Sequence, residues 1–175
     1  MEPAKVDQVI LADDQQQFMD LLNNHSNVNA FTKKGSKKEC IICKAAFLGA
    51  NNCIQYALVT DMLCNHYDKN IGYFAASGDH ISILILLLNF NISLEGAIFG
   101  SIKYGKYQSF IWLVENDYEQ AKRDLEDQNV ILLAAKSGNV QIFEYIIENH
   151  QTYLNYKDNK NVYLVFVSNT FESCG

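Results

Sequence analysis

Residues 132–147 read LLAAKSGNVQIFEYII: an apolar stretch ending in two alanines, a Ser-Gly-Asn turn, and a second apolar stretch. Read as helices, these pieces run from about Val130 to Ser137 and from about Val140 to Asn149. Isolated helices shorter than about 12–15 residues are marginal in water. Such a pair must bury its apolar faces on something else, and the first candidate is another copy of itself.

Anchoring on Gly138, the same surroundings recur at Gly49, Gly78 and Gly105, in steps of 29, 27 and 33 residues. An isoleucine stands seven positions before each glycine: Ile42, Ile71, Ile98 and Ile131. Five positions after come Ile54, Ile83, Phe110 and Phe143. Eight and nine after come Ala57 and Leu58, Leu86 and Leu87, Leu113 and Val114, Ile146 and Ile147. Apolar residues at these offsets fall on one stripe of a second helix. The glycine ends the first helix by taking the left-handed conformation. Small residues before it (Ala45 and Ala46, Ala75, Ser101, Ala134 and Ala135) let two helices approach closely. Each unit is therefore a helix hairpin that needs neighbours on its flanks.

These residues carry a resemblance. LAAKSGNVQIFEYIIEN, residues 133–149, resembles the ankyrin repeat, with its alanine pair, glycine turn and apolar second helix. LLNNHSNVNA, residues 21–30, resembles the end of such a unit, with Val28 and Asn29 at the loop; Leu154 and Asn155 repeat the feature. The resemblance implies an all-α, ankyrin-like helical-hairpin solenoid with finger loops, one array over residues 1–175. Its units would be about 4–30, 36–64, 65–94, 95–124 and 125–155, with 156–175 an incomplete terminal repeat. The family's Thr-Pro-Leu-His opening is missing from every unit, and the single proline is Pro3. Without proline to pre-set the first turn, frayed helix starts are expected.

Composition narrows the function. The 175 residues are 49% hydrophobic and carry a net charge of -6, which argues against nucleic acid as the main partner. Five cysteines without a secretory apolar leader suit a reducing, intracellular and cytoplasmic setting, with the nucleus as an alternative, and free thiols are expected. Apolar runs reach only six residues, as at Ile83 to Leu88, whereas a membrane span needs about 20.

Chemistry-bearing clusters have plainer readings. Cys40, Cys43, Cys53, Cys64 and His66 open as a Cys-x-x-Cys, but the later spacing suits no compact zinc site, and small semi-buried packing positions account for them. His25, His66, His80 and His150 lack a neighbouring serine or acid at a catalytic spacing. Residues 100–106, GSIKYGK, have the wrong length for a phosphate loop. No enzyme activity, metal or cofactor is expected. Lys33, Lys34, Lys37 and Lys38 oppose an acidic group of Glu115, Asp117, Glu119, Asp124, Glu126 and Asp127. These read as a solvated finger loop and a solvated acidic turn, or as a steering patch for an acidic partner segment.

The family holds other proteins in a concave face of finger loops and first-helix positions. That resemblance places Phe47 and Leu48, Ala76 and Ser77, Lys103 and Tyr104, Lys136 and Ser137 in the groove, with Glu39, Asp68, Glu95 and Gln128. Phe47 and Leu48 are binding anchors there, unless unit two packs both internally. The expected function is a monomeric protein-binding module, an adaptor or competitive inhibitor. The alternative is a substrate-recruiting or regulatory fragment of a larger enzyme assembly. Finally, the apolar run Tyr163 to Val167 is expected to dock as an incomplete repeat on Ile142, Tyr145 and Ile146, or else to extend as a strand.

Overall fold

The computed structural model describes residues 3–24, 41–60, 68–127 and 129–149. Among them are eleven helices and no strand: α1 (Pro3–Leu11), α2 (Gln15–Asn24), α3 (Ile41–Leu48), α4 (Asn51–Val59), α5 (Asp68–Gly78), α6 (Ile81–Asn89), α7 (Ala97–Lys103), α8 (Tyr107–Asn116), α9 (Tyr118–Leu125), α10 (Val130–Ser137) and α11 (Val140–Asn149). Hairpins form from α1 and α2, α3 and α4, α5 and α6, α7 and α8, and α10 and α11. First helices pack in sequence, α1 on α3, α3 on α5, α5 on α7 and α7 on α10; second helices do the same through α2, α4, α6, α8 and α11. The buried side chains form one cluster from Val6 to Ile146. No described helix is long and apolar enough to cross a membrane.

One backbone feature aligns the five hairpins. The residue between paired helices is left-handed at Asp13, Gly49, Asp79, Gly105 and Gly138. At four of these turns the next N–H returns to the carbonyl five residues back: Asp14 to Val9, Ala50 to Ala45, His80 to Ala75, and Lys106 to Ser101. Those bonds satisfy carbonyls that a helix end would otherwise leave open. Four positions before the turn stand Val9, Ala45, Ala75, Ser101 and Ala134, all buried; eight after stand Leu21, Ala57, Leu87, Leu113 and Ile146, also buried.

This alignment corrects the sequence register twice. In the third hairpin the turn residue is Asp79, and Gly78 is the last residue of α5. Leu84 and Leu87 are therefore fully buried core residues, while Leu86 is only half-buried. Gly78 is needed for space instead of backbone freedom. A Cβ there would lie 2.2 Å from the Phe47 carbonyl oxygen and 2.5 Å from the His80 ring. The first hairpin has no glycine at its turn at all; Asp13 takes the left-handed position, which Asp and Asn tolerate better than most residues.

Both aspartates have a second role. Asp13 accepts hydrogen bonds from the N–H groups of Asn52 (3.0 Å) and Cys53 (3.0 Å), in the first turn of α4. Asp79 accepts from the Ser109 N–H (3.0 Å) and hydroxyl (2.7 Å), in the first turn of α8. Neither α4 nor α8 has a side-chain cap at its own preceding residue. The preceding hairpin supplies the acceptor that a local Ser, Thr or Asp would provide. Of the remaining second helices, α2 is capped by Asp14 through the Gln17 N–H and α11 by Asn139 through the Ile142 N–H.

The acidic segment is built around a helix, not a turn, and of its six acids Asp124 alone is buried. Tyr118–Leu125 forms α9, which packs on α7 and α8 through Ala121, Asp124 and Leu125 while Glu119, Lys122 and Arg123 stay exposed. Asp124 accepts the Gly96 N–H (2.8 Å), just ahead of α7, and a Gln120 side-chain N–H (2.9 Å).

Candidate functional site

The C-terminal ends of α3, α5 and α7 converge on one face. Phe47 of α3 and Tyr104, just past α7, meet edge to face with ring centroids 6.0 Å apart. They remain 37% and 49% exposed, and the Lys103 ammonium lies 5.4 Å from the centre of the Tyr104 ring. Two aromatic faces and a cation therefore share one open surface, a combination suited to amphipathic contacts.

What lets residues from hairpins two and four meet is the thinness of the hairpin between them. A Cβ on Gly100 of α7 would stand 2.3 Å from the Tyr73 carbonyl oxygen and 2.7 Å from the Ser77 hydroxyl of α5. Gly72 of α5 similarly faces Leu94 and Ala97 at 3.1 and 3.3 Å. Glycine and alanine at these positions permit backbone approach that larger side chains prevent. Under Phe47 the support is polar: the His80 Nε2–H donates to the Phe47 carbonyl at 3.0 Å, and the imidazole sits against Gly49 and Gly78, where added Cβ atoms would come within 2.5 Å of it.

The expected groove residues divide. Phe47, Lys103, Tyr104 and Lys136 are exposed. Leu48 is half-buried and packs on the core, so the Phe47–Leu48 pair presents one anchor, not two. Ala76 and Ser77 are buried, because α3 and α7 close over this part of α5; the Ser77 hydroxyl donates to the Tyr73 carbonyl. Ser137 turns its hydroxyl onto the Ala134 carbonyl. Glu95 is exposed between α6 and α7, near enough to Asp124 to raise its pKa. Asp68 begins α5, and its side chain lies outside the described residues, as do Glu39, Gln128, Lys33, Lys34, Lys37 and Lys38. A second open groove of about 270 Å³ lies between α7 and α10, lined by Phe99, Leu132, Leu133 and Lys136 among others. Phe99 escaped the sequence reading; it lies six positions before its turn, as Leu132 does, and that offset was its available signal.

Titratable groups are shifted by burial. The Cys53 thiol is pushed up to about 12, first by burial and then by the hydrogen bond and negative charge of Asp13, which leaves almost no thiolate at neutral pH. Cys43 is also buried; Cys40, Cys64 and His66 lie outside the described residues. Among the described residues, no three His, Cys, Asp or Glu side chains come together as a metal site.

Burial, aided by Glu95, raises the Asp124 carboxyl above its ordinary 3.8; the Gly96 N–H, Gln120 and Arg123 oppose the shift. A folded-state value above the unfolded one means the folded form binds the proton more readily. The contribution to stability is then greatest below the unfolded carboxylate value and declines as pH rises through the raised one. Asp124→Asn keeps an oxygen for the Gly96 N–H and is expected to flatten this decline. Melting temperatures of both proteins from about pH 3 to 7 check it; parallel curves would remove Asp124 as the source.

No protein-family model matches the chain, and no curated protein is similar enough to it to be recognised as a relative.

Proposed function

We propose that the chain is an ankyrin-like solenoid that binds a segment of a partner protein on its concave face, as an adaptor or competitive inhibitor, and does so as a monomer. The observation that carries this reading is the exposed Phe47–Tyr104 pair with Lys103 beside it. Exposed aromatics held in place by a fixed backbone are favourable binding anchors, because little side-chain freedom is lost on contact. The Phe47 carbonyl is already held by His80. Lys103 and Lys136, exposed on a chain of net charge -6, favour a partner segment that combines apolar residues with Asp or Glu.

The test uses peptides selected on the full chain from a random display library, with affinities measured by fluorescence anisotropy. Replacing Phe47 and Tyr104 together by alanine is expected to weaken binding by roughly ten- to a hundredfold, as anchor residues do. Ile85→Ser, at an exposed position of α6, serves as the control and should leave affinity unchanged. Selected peptides that bind the double variant as tightly as the parent would defeat the proposal, as would a library that yields no binders.

A further inference from the structure

Glycine lets α5 and α7 come together, and leucine holds α7 and α10 apart. Gly100 stands five residues before its turn and faces Tyr73, which stands six before the turn of the preceding hairpin. At the same offsets in the next pair of first helices are Leu133 and Phe99. A leucine side chain in the glycine's place prevents the backbone approach seen between α5 and α7. The open groove of about 270 Å³ lies there, with Phe99, Leu132 and Leu133 in its lining. On the α11 side of the same hairpin, the expected seat of the run Tyr163 to Val167 is already filled from within: Ile142 and Ile146 are fully buried and Tyr145 stacks edge to face on Phe110 at 5.2 Å. The run itself lies outside the described residues.

Two lysines stand over the groove. Lys136 of α10 lines it, and Lys103 occupies the same offset on α7. Each follows an apolar lining residue by four positions, Lys136 after Leu132 and Lys103 after Phe99, so each pair shares one helix face. Both lysines are exposed, and among the described residues neither forms an ion pair. Asp127, also in the lining, turns one carboxylate oxygen onto its own loop, where it accepts from the Asn129 N–H (2.8 Å) and side-chain amide (3.0 Å). The opening thus has an apolar floor and, one helical turn along, two cations.

We propose that this groove takes an apolar side chain of a partner segment whose Asp or Glu, two residues away, lies between Lys103 and Lys136. The spacing follows from helix and strand geometry. Four helical residues advance about 6 Å. In an extended segment, side chains two residues apart point the same way and lie roughly 6.6 Å from each other, whereas adjacent ones point to opposite sides. Packed helices lie roughly 8–10 Å apart, so a carboxylate above the groove is within reach of both flexible ammonium groups. The paired cations select an acidic segment over a basic or purely apolar one. Lys103 also lies beside the Tyr104 ring, which joins this subsite to the aromatic pair. The inference rests on the proposal that the chain binds a partner segment, and it adds a second subsite and the spacing that the subsite reads.

The test titrates acetylated, amidated tripeptides into the full chain labelled with nitrogen-15 and follows backbone amide shifts. Leu-Ser-Glu or its reverse, Glu-Ser-Leu, should move the amides of Phe99, Leu132, Leu133 and Lys136 saturably at millimolar concentration. Leu-Glu-Ser, with the two groups adjacent, should bind more weakly by up to roughly fivefold, the worth of an exposed charge pair. Ser-Ser-Glu should leave these amides in place. Lys136→Glu, at an exposed site, should reverse the preference, so that Leu-Ser-Lys binds better than Leu-Ser-Glu. Replacing Phe47 and Tyr104 together by alanine should leave the tripeptide shifts intact, so loss of the aromatic anchors and loss of the groove are read separately. Absence of shifts at the groove amides would overturn the proposal, and equal binding of Leu-Glu-Ser would overturn the spacing. An unchanged preference in Lys136→Glu would remove the lysines from the site.

Discussion

Gly100→Ala is expected to lower stability by more than about 2 kcal/mol, although helix propensity alone argues for a gain. Replacing a mid-helix glycine by alanine ordinarily stabilises by roughly 0.5–1 kcal/mol. Here the new Cβ would lie 2.3 Å from the Tyr73 carbonyl oxygen, 2.7 Å from the Ser77 hydroxyl and 3.1 Å from the Tyr73 carbonyl carbon. Two of the three obstacles are backbone, so no rotamer change relieves them, and α5 and α7 must separate. Overpacking typically costs 1–3 kcal/mol where side chains can adjust, and more where they cannot. For a chain of this size, 2 kcal/mol corresponds to a fall of roughly 4–8 °C in melting temperature. Circular dichroism melts decide the matter: an unchanged or higher midpoint would show that α5 and α7 do not approach this closely. The substitution should also part Phe47 from Tyr104, since that contact depends on the same approach.

Asp79→Ala should cost more than about 2 kcal/mol, for two separable reasons. Alanine at φ 68° bears the strain of the left-handed region, about 1 kcal/mol or more. It also withdraws the acceptor used by both the Ser109 N–H and hydroxyl; Ser109 is fully buried, and orphaned donors cost about 1–3 kcal/mol. Asp79→Gly should recover the strain alone, and Asp79→Asn should recover most of both. Urea titrations of the three variants should therefore rank Asn above Gly above Ala. If Gly equalled the parent, the bond to Ser109 would be dispensable; if Asn matched Ala, the turn assignment itself would fail.

These variants also mark where reading the chain succeeds. Three of the five turns follow directly from glycine spacing, because Gly49, Gly105 and Gly138 occupy the one conformation that side chains resist. The stripe at Ile54, Phe110 and Leu113 follows from helical period, and burial tracks it. The first hairpin was faint because its turn residue is Asp13, and a search for glycines passes over it. In the third hairpin, Gly78 stands one residue from the true turn and drew the alignment to itself. The helix α9 went unread because its buried face contains Asp124, a carboxylate that looks like solvent-exposed charge until the Gly96 N–H is placed against it.

Local sequence thus determined most of the helical segments, though not α9, and where most of them reverse, since helical period and backbone freedom at a turn are properties of a few adjacent residues. It also determined that each pair is too short and too apolar to stand alone. What only the tertiary structure decided are the relations between hairpins: that aspartates at two turns cap the helices of the next unit, that glycines 72 and 100 bring α5 and α7 together, and that Phe47 and Tyr104 meet across a third hairpin. Those outcomes depend on distances between backbones remote in the chain. Such a distance is set by the sum of the packing between the helices, and no short stretch of residues encodes it.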